Sequence, residues 1–261
     1  MQIKDIIQYL NIIAPPEQKE DWDNIGLIVG NSQDEVTIAL LCLDVTIDVI
    51  QEAKNLGAQL IISHHPFIFR PISSITNETF LGKKILEVIK SGISVFSAHT
   101  NLDASDQGIN AYIAELLELN NVKRFDLLDS TWQGGRMGEL KEPMTLKQLA
   151  RKVQEVFNDD MIRYSGNAQN QIKKIAFISG GAGKTDYIDA AISRGIDCYI
   201  SADFNHHSML EAYEKDFPVI YCSHYYMERI ILKRLKELLN QKFDGVEFIL
   251  STTEQNPMSR L

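Results

Sequence analysis

A chain of 261 residues, 44% hydrophobic and 23% charged, carries enough apolar content for one large domain or two smaller ones. Its formal net charge of −9 argues against a nucleic acid held on a broad basic face, because that contact relies on clustered Lys and Arg. No apolar run approaches membrane-spanning length, and the first ten residues, MQIKDIIQYL, lack a basic segment followed by a long apolar one. A cytoplasmic protein with neither a membrane nor a nucleic acid as partner is the expectation.

The elements alternate along the chain. A helix from Ile3 to Ala14 stops at Pro15 and Pro16; the strand TIALLCLD leads into a helix from Thr46 to Leu56; then follow strand AQLIIS, helix LGKKILEVIKSG, strand ISVFSA and helix NAYIAELLEL. After a less regular middle, Thr145 and Gln148 form a capping-box pattern that opens a helix to Phe157. The alternation resumes with KKIAFIS, a helix from Thr185 to Arg194, CYISA, a helix from His207, PVIYCS and a last long helix from Tyr226 to Leu239. This order predicts an α/β protein with mixed sheets flanked by helices. Cys42, Cys198 and Cys222 lie in the apolar strands, odd in number and without CxxC spacing, and read as buried reduced thiols. Cys222 is the one to watch, because it stands two residues before His224.

The second half repeats the first. A shift of 138 residues lays EAKNLGAQLIIS (52–63) on AAISRGIDCYIS (190–201), and a shift of 125 lays SVFSAHTNLD (94–103) on VIYCSHYYME (219–228). His99 then falls opposite His224 and Asp103 opposite Glu228. The expectation is an internal duplication, with one α/β half over 1–125 and the other over 126–261, and a ligand site in the cleft between them, where open α/β sheets present their strand ends.

All six histidines, His64, His65, His99, His206, His207 and His224, sit at strand ends or just beyond. Consecutive side chains of a strand point to opposite faces, so His64 and His65 serve one site only if the strand has ended there, as Pro66 implies. With Asp103 and Glu228, the residues His64, His65, His99 and His224 form a nitrogen and oxygen donor set for divalent transition metals. The i, i+4 spacing of His224 and Glu228 puts both on one face if the helix has begun by then. Three or four ligands suffice for one ion, and six candidates fit two ions that share a carboxylate bridge. SGGAGKT (179–185) is a decoy: a phosphate-binding loop needs a glycine where Ile178 stands, so a tight strand-to-helix turn is the simpler reading. Asp203, Asn205, His206 and His207 hold the place of the double histidine in the second half. They either line the substrate side and transfer protons or form the polar start of a helix.

The segments WDNIGLIVG (22–30), LDVT (43–46), LIISHHPFIF (60–69), AHTNLD (98–103), GRMGEL (135–140), ISGGAG (178–183), ISADFNHH (200–207) and HYYME (224–228) resemble, nearly end to end, the GTP cyclohydrolase 1 type 2 homolog family, also called Nif-three-like. The resemblance implies a duplicated α/β fold, a ring-shaped homohexamer, and two divalent cations per chain (Zn, Fe, Mn, Co or Ni) in the cleft. It implies His64 and His224 on one ion, His65 and Asp103 on the other, and Glu228 as the bridge, with His99 an accessory ligand or hydrogen-bonding group. The short middle section lacks the inserted domain of longer members. The family name implies opening of the guanine ring of GTP by a metal-activated water, with His99, His206 or His207 moving protons. The same centre suits another hydrolysis, of a phosphoester or cyclic amide, and a non-enzymatic metal-binding regulatory module is the alternative of a different class.

Overall fold

A computed structural model describes residues 1–127 and 129–259. The chain runs through α1 (Ile3–Ile13), β1 (Gly26–Val29), β2 (Ile38–Cys42), α2 (Ile47–Leu56), β3 (Leu60–Ser63), α3 (Phe80–Lys90), β4 (Ser94–Ser97), α4 (Thr100–Ala104), α5 (Ile109–Leu116) and β5 (Asn120–Phe125). It continues through β6 (Gly135–Thr145), α6 (Leu146–Phe157), β7 (Arg163–Ser165), β8 (Gln171–Phe177), α7 (Thr185–Ser193), β9 (Cys198–Ser201), α8 (His206–Glu214), β10 (Val219–Tyr221), α9 (His224–Lys242) and β11 (Glu247–Leu250). Local chemistry sets the boundaries. The α1 helix buries Ile3, Ile6, Leu10 and Ile13 and stops before the Pro15-Pro16 pair. The α2 helix is capped by Thr46, whose hydroxyl accepts from the Val49 amide, and ends at Gly57 in the left-handed region at φ +66°. The capping box of α6 forms as its sequence predicts: Gln148 N donates to Thr145 Oγ1 and Thr145 N to Gln148 Oε1.

The first compact unit comprises Met1–Leu102 and Ile231–Pro257. Its sheet has the order β1-β4-β3-β2-β11; β11, β2, β3 and β4 run parallel, and β1 pairs antiparallel with β4. Leu40, Val49, Ile61, Ile85, Val88 and Val95 meet in its core. The chain's end is fastened to the middle of this unit. Glu254 Oε1 accepts from the amides of Leu43 and Asp44, both at 2.7 Å. Glu52 accepts from Ser251 Oγ (2.6 Å), Thr252 N (2.9 Å) and Thr253 Oγ1 (2.9 Å). Burial alone would raise the Glu52 carboxyl, but these hydrogen bonds outweigh it and lower its pKa to about 2. A depressed folded-state pKa gives stability that is complete above the ordinary pKa of 4.5 and is lost as pH falls toward 2. Glu52→Gln is therefore expected to flatten the fall of melting temperature with pH across that window. Parallel acid limbs in thermal melts of the two proteins would refute the assignment.

The second unit comprises Asp103–Ile230 together with Met258 and Ser259. Its sheet has the order β5-β6-β8-β9-β10-β7, with β8, β9 and β10 parallel and the outer strands antiparallel. Phe125, Ala176, Ile188, Tyr199, Phe217 and Val219 belong to its core. The order β7-β10-β9-β8 repeats β1-β4-β3-β2, with the antiparallel strand at the same place, as the duplication requires. One detail of the repeat differs from the sequence register. Ala98 N donates to Ser63 O where Cys222 N donates to Ser201 O, so Ala98 corresponds to Cys222, and His99 and His224 stand one residue out of step.

The compact units also differ from a division at 125/126. β11 pairs residue by residue with β2, from Glu247 opposite Ile38 to Leu250 opposite Leu41, and so returns the C-terminal segment to the first unit. The middle section holds β5 and the long β6, which read as irregular because GRMGELKEPMT mixes charges, glycines and a proline without alternation. The cysteines are buried and free, and burial pushes the Cys222 thiol well up. Among the described residues, no helix is long and apolar enough to cross a membrane.

Candidate metal centre

In the first unit the donors gather where β2, β3 and β4 end. The β3 strand ends at Ser63; beyond it both His64 N and His65 N donate, to Cys42 O (3.1 Å) and Leu43 O (2.9 Å). An extended parallel strand sends consecutive amides in opposite directions, so the backbone has turned at this point. The two rings consequently lie beside each other, with centroids 5.1 Å apart. His99, just past β4, joins them at 5.3 Å from His64 and 5.6 Å from His65. Ligand atoms of His64, His65 and His99 all lie within 4.8 Å of one another.

Each ring is held by Nδ1. His64 Nδ1 lies 3.0 Å from the carbonyl of Ala98, His65 Nδ1 2.9 Å from Asp44 Oδ1, and His99 Nδ1 2.9 Å from Asp23 Oδ1. A carbonyl can only accept, so His64 carries its proton on Nδ1 and its lone pair on Nε2. The two carboxylates favour the same tautomer in His65 and His99, which is the arrangement of metal-ligating imidazoles. Asp23 is itself fixed: it accepts from Thr100 N at 3.0 Å, Thr100 Oγ1 at 2.5 Å and Asn24 N at 2.9 Å. Burial would raise its carboxyl, but the His99 and Thr100 contacts outweigh that and lower it.

In the second unit the donors are Asp103, His224 and Glu228. Asp103 is buried, and its Oδ1 accepts from Ser179 Oγ at 3.3 Å. Ser179 in turn exchanges two hydrogen bonds with Asn110: its amide donates to Asn110 Oδ1 (2.9 Å) and Asn110 Nδ2 donates to its hydroxyl (3.1 Å). Arg136, only 3% exposed, grips the chain just beyond Asp103, donating to Ala104 O (3.0 Å), Ser105 O (3.1 Å) and Asp106 Oδ1 (2.9 Å). Its other terminal nitrogen donates to Gly134 O and Gly135 O. His224 opens α9 and Glu228 follows one turn later, so i, i+4 spacing brings Nε2 and Oε2 to 2.8 Å. Asp203, at φ +53°, holds His224 Nδ1 at 2.8 Å. Burial would lower the His224 pKa, but the charges and hydrogen bonds of Glu228 and Asp203 push it up to about 11. A divalent ion bound at Nε2 would take the place of the ring proton that faces the buried Glu228 carboxylate.

The turn between β8 and α7 explains itself by proximity rather than by phosphate. A Cβ on Gly180, at φ +70°, would lie 2.1 Å from Glu228 Oε1, and one on Gly183 would lie 2.3 Å from the carbonyl of Ala202. Glycine is needed there because the backbone passes directly over the carboxylate.

The family model described as Duf34/NIF3 (NGG1p interacting factor 3) matches residues 1–257. The chain belongs to that family. A GTP cyclohydrolase 1 type 2 homolog of Clostridium perfringens is 36% identical over 260 residues, with 98% of each chain covered. A homolog of the same description from Methanocaldococcus jannaschii is 31% identical over 245 residues, covering 94% of this chain and 97% of that protein. Among solved structures, reduced HcgD of M. jannaschii is similar with a TM-score of 0.85 at 30% identity, covering 96% of this chain and 97% of its own. A Staphylococcus aureus hypothetical protein reaches a TM-score of 0.89 at 27% identity, covering 100% of this chain and 99% of its own.

Within this family member, His206 and His207 stand apart from the other histidines. They are exposed on the first turn of α8, where Asn205 caps the helix by accepting from Ser208 N, and they enter no grouping of ligand atoms among the described residues. Cys222 enters none either. Spacing missed two carboxylates, Asp23 and Asp44, which hold His99 and His65; Asp203, read as lining the substrate side or starting a helix, instead holds His224. The only trace of the first in the chain is the density of turn formers in WDNIG, to which spacing assigns no chemistry.

Proposed function

We propose that this protein is a metal-dependent hydrolase in which His64, His65, Asp103, His224 and Glu228 hold two divalent cations, and that it opens a purine ring such as that of GTP. The observation that carries this reading is the common treatment of four histidines, each fixed at Nδ1 by a carbonyl or carboxylate oxygen. Such partners fix the tautomer and raise the basicity of the coordinating nitrogen, and a merely solvated imidazole has no use for them. The donors are imidazole and carboxylate with no thiolate among them, a set that fits zinc, iron, manganese, cobalt or nickel. The description of the relatives as GTP cyclohydrolase 1 type 2 homologs supports the purine substrate. His64 and His224 are assigned to one ion, His65 and Asp103 to the other, and Glu228 to both.

Bound divalent ions supply a Lewis acid that lowers the pKa of water and stabilises developing negative charge. The chain's own contribution is proton movement. His99 is partly exposed, and its Nδ1 proton is held by the buried carboxylate of Asp23, so Nε2 is the atom that takes and returns a proton at the substrate. The negative charge of Asp23 stabilises the imidazolium formed in that step. His99→Gln is expected to lower kcat by roughly 10²–10⁴-fold with metal content unchanged. Loss of an ion from that variant would make His99 a ligand instead.

The decisive experiment purifies the protein with its native metals, counts them by mass spectrometry, and assays GTP beside other nucleotides, phosphoesters and cyclic amides. Formate release from GTP supports the full reading. Turnover of another member of the panel keeps the hydrolase and replaces the substrate, and no turnover by metal-replete protein sinks the enzyme.

A further inference from the structure

Trp22 is 56% exposed and Phe69 47% exposed, although both are large apolar rings that folding would ordinarily cover. They stand together, with centroids 5.6 Å apart, and both pack against His99, at 5.9 Å and 6.3 Å. His99 in turn touches His64 and His65, so the aromatic pair continues the histidine grouping outward. Hydrogen bonds hold the supporting loops. Lys19 Nζ donates to the carbonyls of Glu20 and Asp23, both at 3.0 Å, and Glu20 N donates to Thr100 Oγ1 at 2.9 Å. Asn24 Nδ2 donates to Ile68 O at 2.6 Å and so joins the loop of Trp22 to the loop of Phe69. Two exposed aromatic rings, fixed in place beside a ligand grouping, form a preorganised surface for a flat partner.

We propose that Trp22 and Phe69 are the ring-recognition residues of this protein, stacking a planar unsaturated heterocycle so that its edge meets His65 and His99. The proposal rests on the reading of the histidine grouping as a hydrolytic metal centre and names the substrate class of that centre. Indole and phenyl faces bind π-surfaces of many rings, because stacking needs a flat face rather than a particular hydrogen-bond pattern. The part of the substrate that they hold is therefore its ring, and neither residue contributes charge toward a phosphate. A saturated, puckered ring of the same size loses that contact.

The test uses the full-length, metal-loaded protein and isothermal titration with guanosine 5′-monophosphate and nicotinamide as planar probes, and with ribose 5-phosphate and dihydrouracil as non-planar ones. Trp22→Ala and Phe69→Ala are each expected to weaken the planar probes at least tenfold and to leave the non-planar ones within twofold. Trp22→Tyr is expected to restore the planar probes, and all variants should keep the wild-type metal content and melting temperature. Equal affinity of the alanine variants for the planar probes, or no saturable binding of them by the wild type, would overturn the proposal. So would a change of oligomeric state in Trp22→Ala by light scattering without a change in ring binding, since the pair would then be covered by another copy of the chain. Fewer than two ions per chain with the planar preference intact would sink the dinuclear reading and leave the aromatic pair standing.

Discussion

Glu228→Gln is expected to empty the metal centre without unfolding the protein. The carboxylate is 3% exposed, one turn into α9, with Oε2 2.8 Å from His224 Nε2 and Oε1 directly beneath Gly180. Gln has the same shape, so the close approach of Gly180 is preserved and the packing survives. The negative charge is lost, and an amide presents one weaker acceptor where the carboxylate offers two oxygens. Removing the partner of a ligand typically costs 10–100-fold in metal affinity, and removing a bridging ligand should cost at least roughly that much from both ions together. Metal counted after dialysis should fall below one ion per chain, with activity lost in step. His207→Gln, exposed at the head of α8, should retain its metal. Two ions per chain in Glu228→Gln would refute the bridging role.

Arg136→Ala is expected to destabilise the second unit by an amount comparable to truncating one of its core side chains. The guanidinium is buried, and burial together with the neighbouring Arg124 lowers its pKa to about 10, against the pull of Asp106. It remains charged at neutral pH, and its donors go to five backbone carbonyls and one carboxylate. Ala104 O keeps Arg124 Nη1 and Ser105 O keeps the Gly108 amide, but truncation removes the guanidinium from Gly134 O and Gly135 O, at about 1–3 kcal/mol for each carbonyl left unpaired, so a net loss of about 2–4 kcal/mol is expected. Because Ala104 follows Asp103 directly, the same change should weaken metal binding. Lysine carries the charge but not the planar fork, and Arg136→Lys should recover less than half of the loss. Calorimetric melts of the three metal-free proteins check the stability claim, and a melting shift under 2 °C for Arg136→Ala would be too small to support it.

Much of the fold was legible because helices and buried strands carry their own period. The capping box at Thr145 and Gln148, the stop at Pro15, and the three apolar strands of each half are local signals that tertiary packing reinforces. The strands that escaped notice, β1, β7 and β11 among them, are short. β6 is long but lacks alternation, and its identity comes from pairing with β5 and β8, which no window of sequence contains. The six histidines and the two carboxylates at i+4 stood out because their residue types are scarce and their spacing fits a helix. The carboxylates that orient the rings did not. Asp23 lies 76 residues from His99 and Asp44 lies 21 from His65, and only the folded sheet brings them together. Trp22 and Phe69 were hidden for the same reason, since an aromatic residue in a turn-rich stretch is ordinarily packing.

The fastening of Glu254 to Leu43 and Asp44 has a consequence for the order of events during synthesis. Asp44 holds His65, and its own amide is held by Glu254, 210 residues further along the chain. β2 receives its outer neighbour only when Glu247–Leu250 arrives. At a synthesis rate of about 5–20 residues per second, β2 waits on the order of ten seconds or more for that neighbour. Until then the nascent chain exposes an unpaired β2 edge and an imidazole whose partner is not yet anchored. The nascent chain is thus open to edge-to-edge association at β2 until Glu247–Leu250 arrives, and the Asp44 that orients His65 is anchored only after that strand has formed.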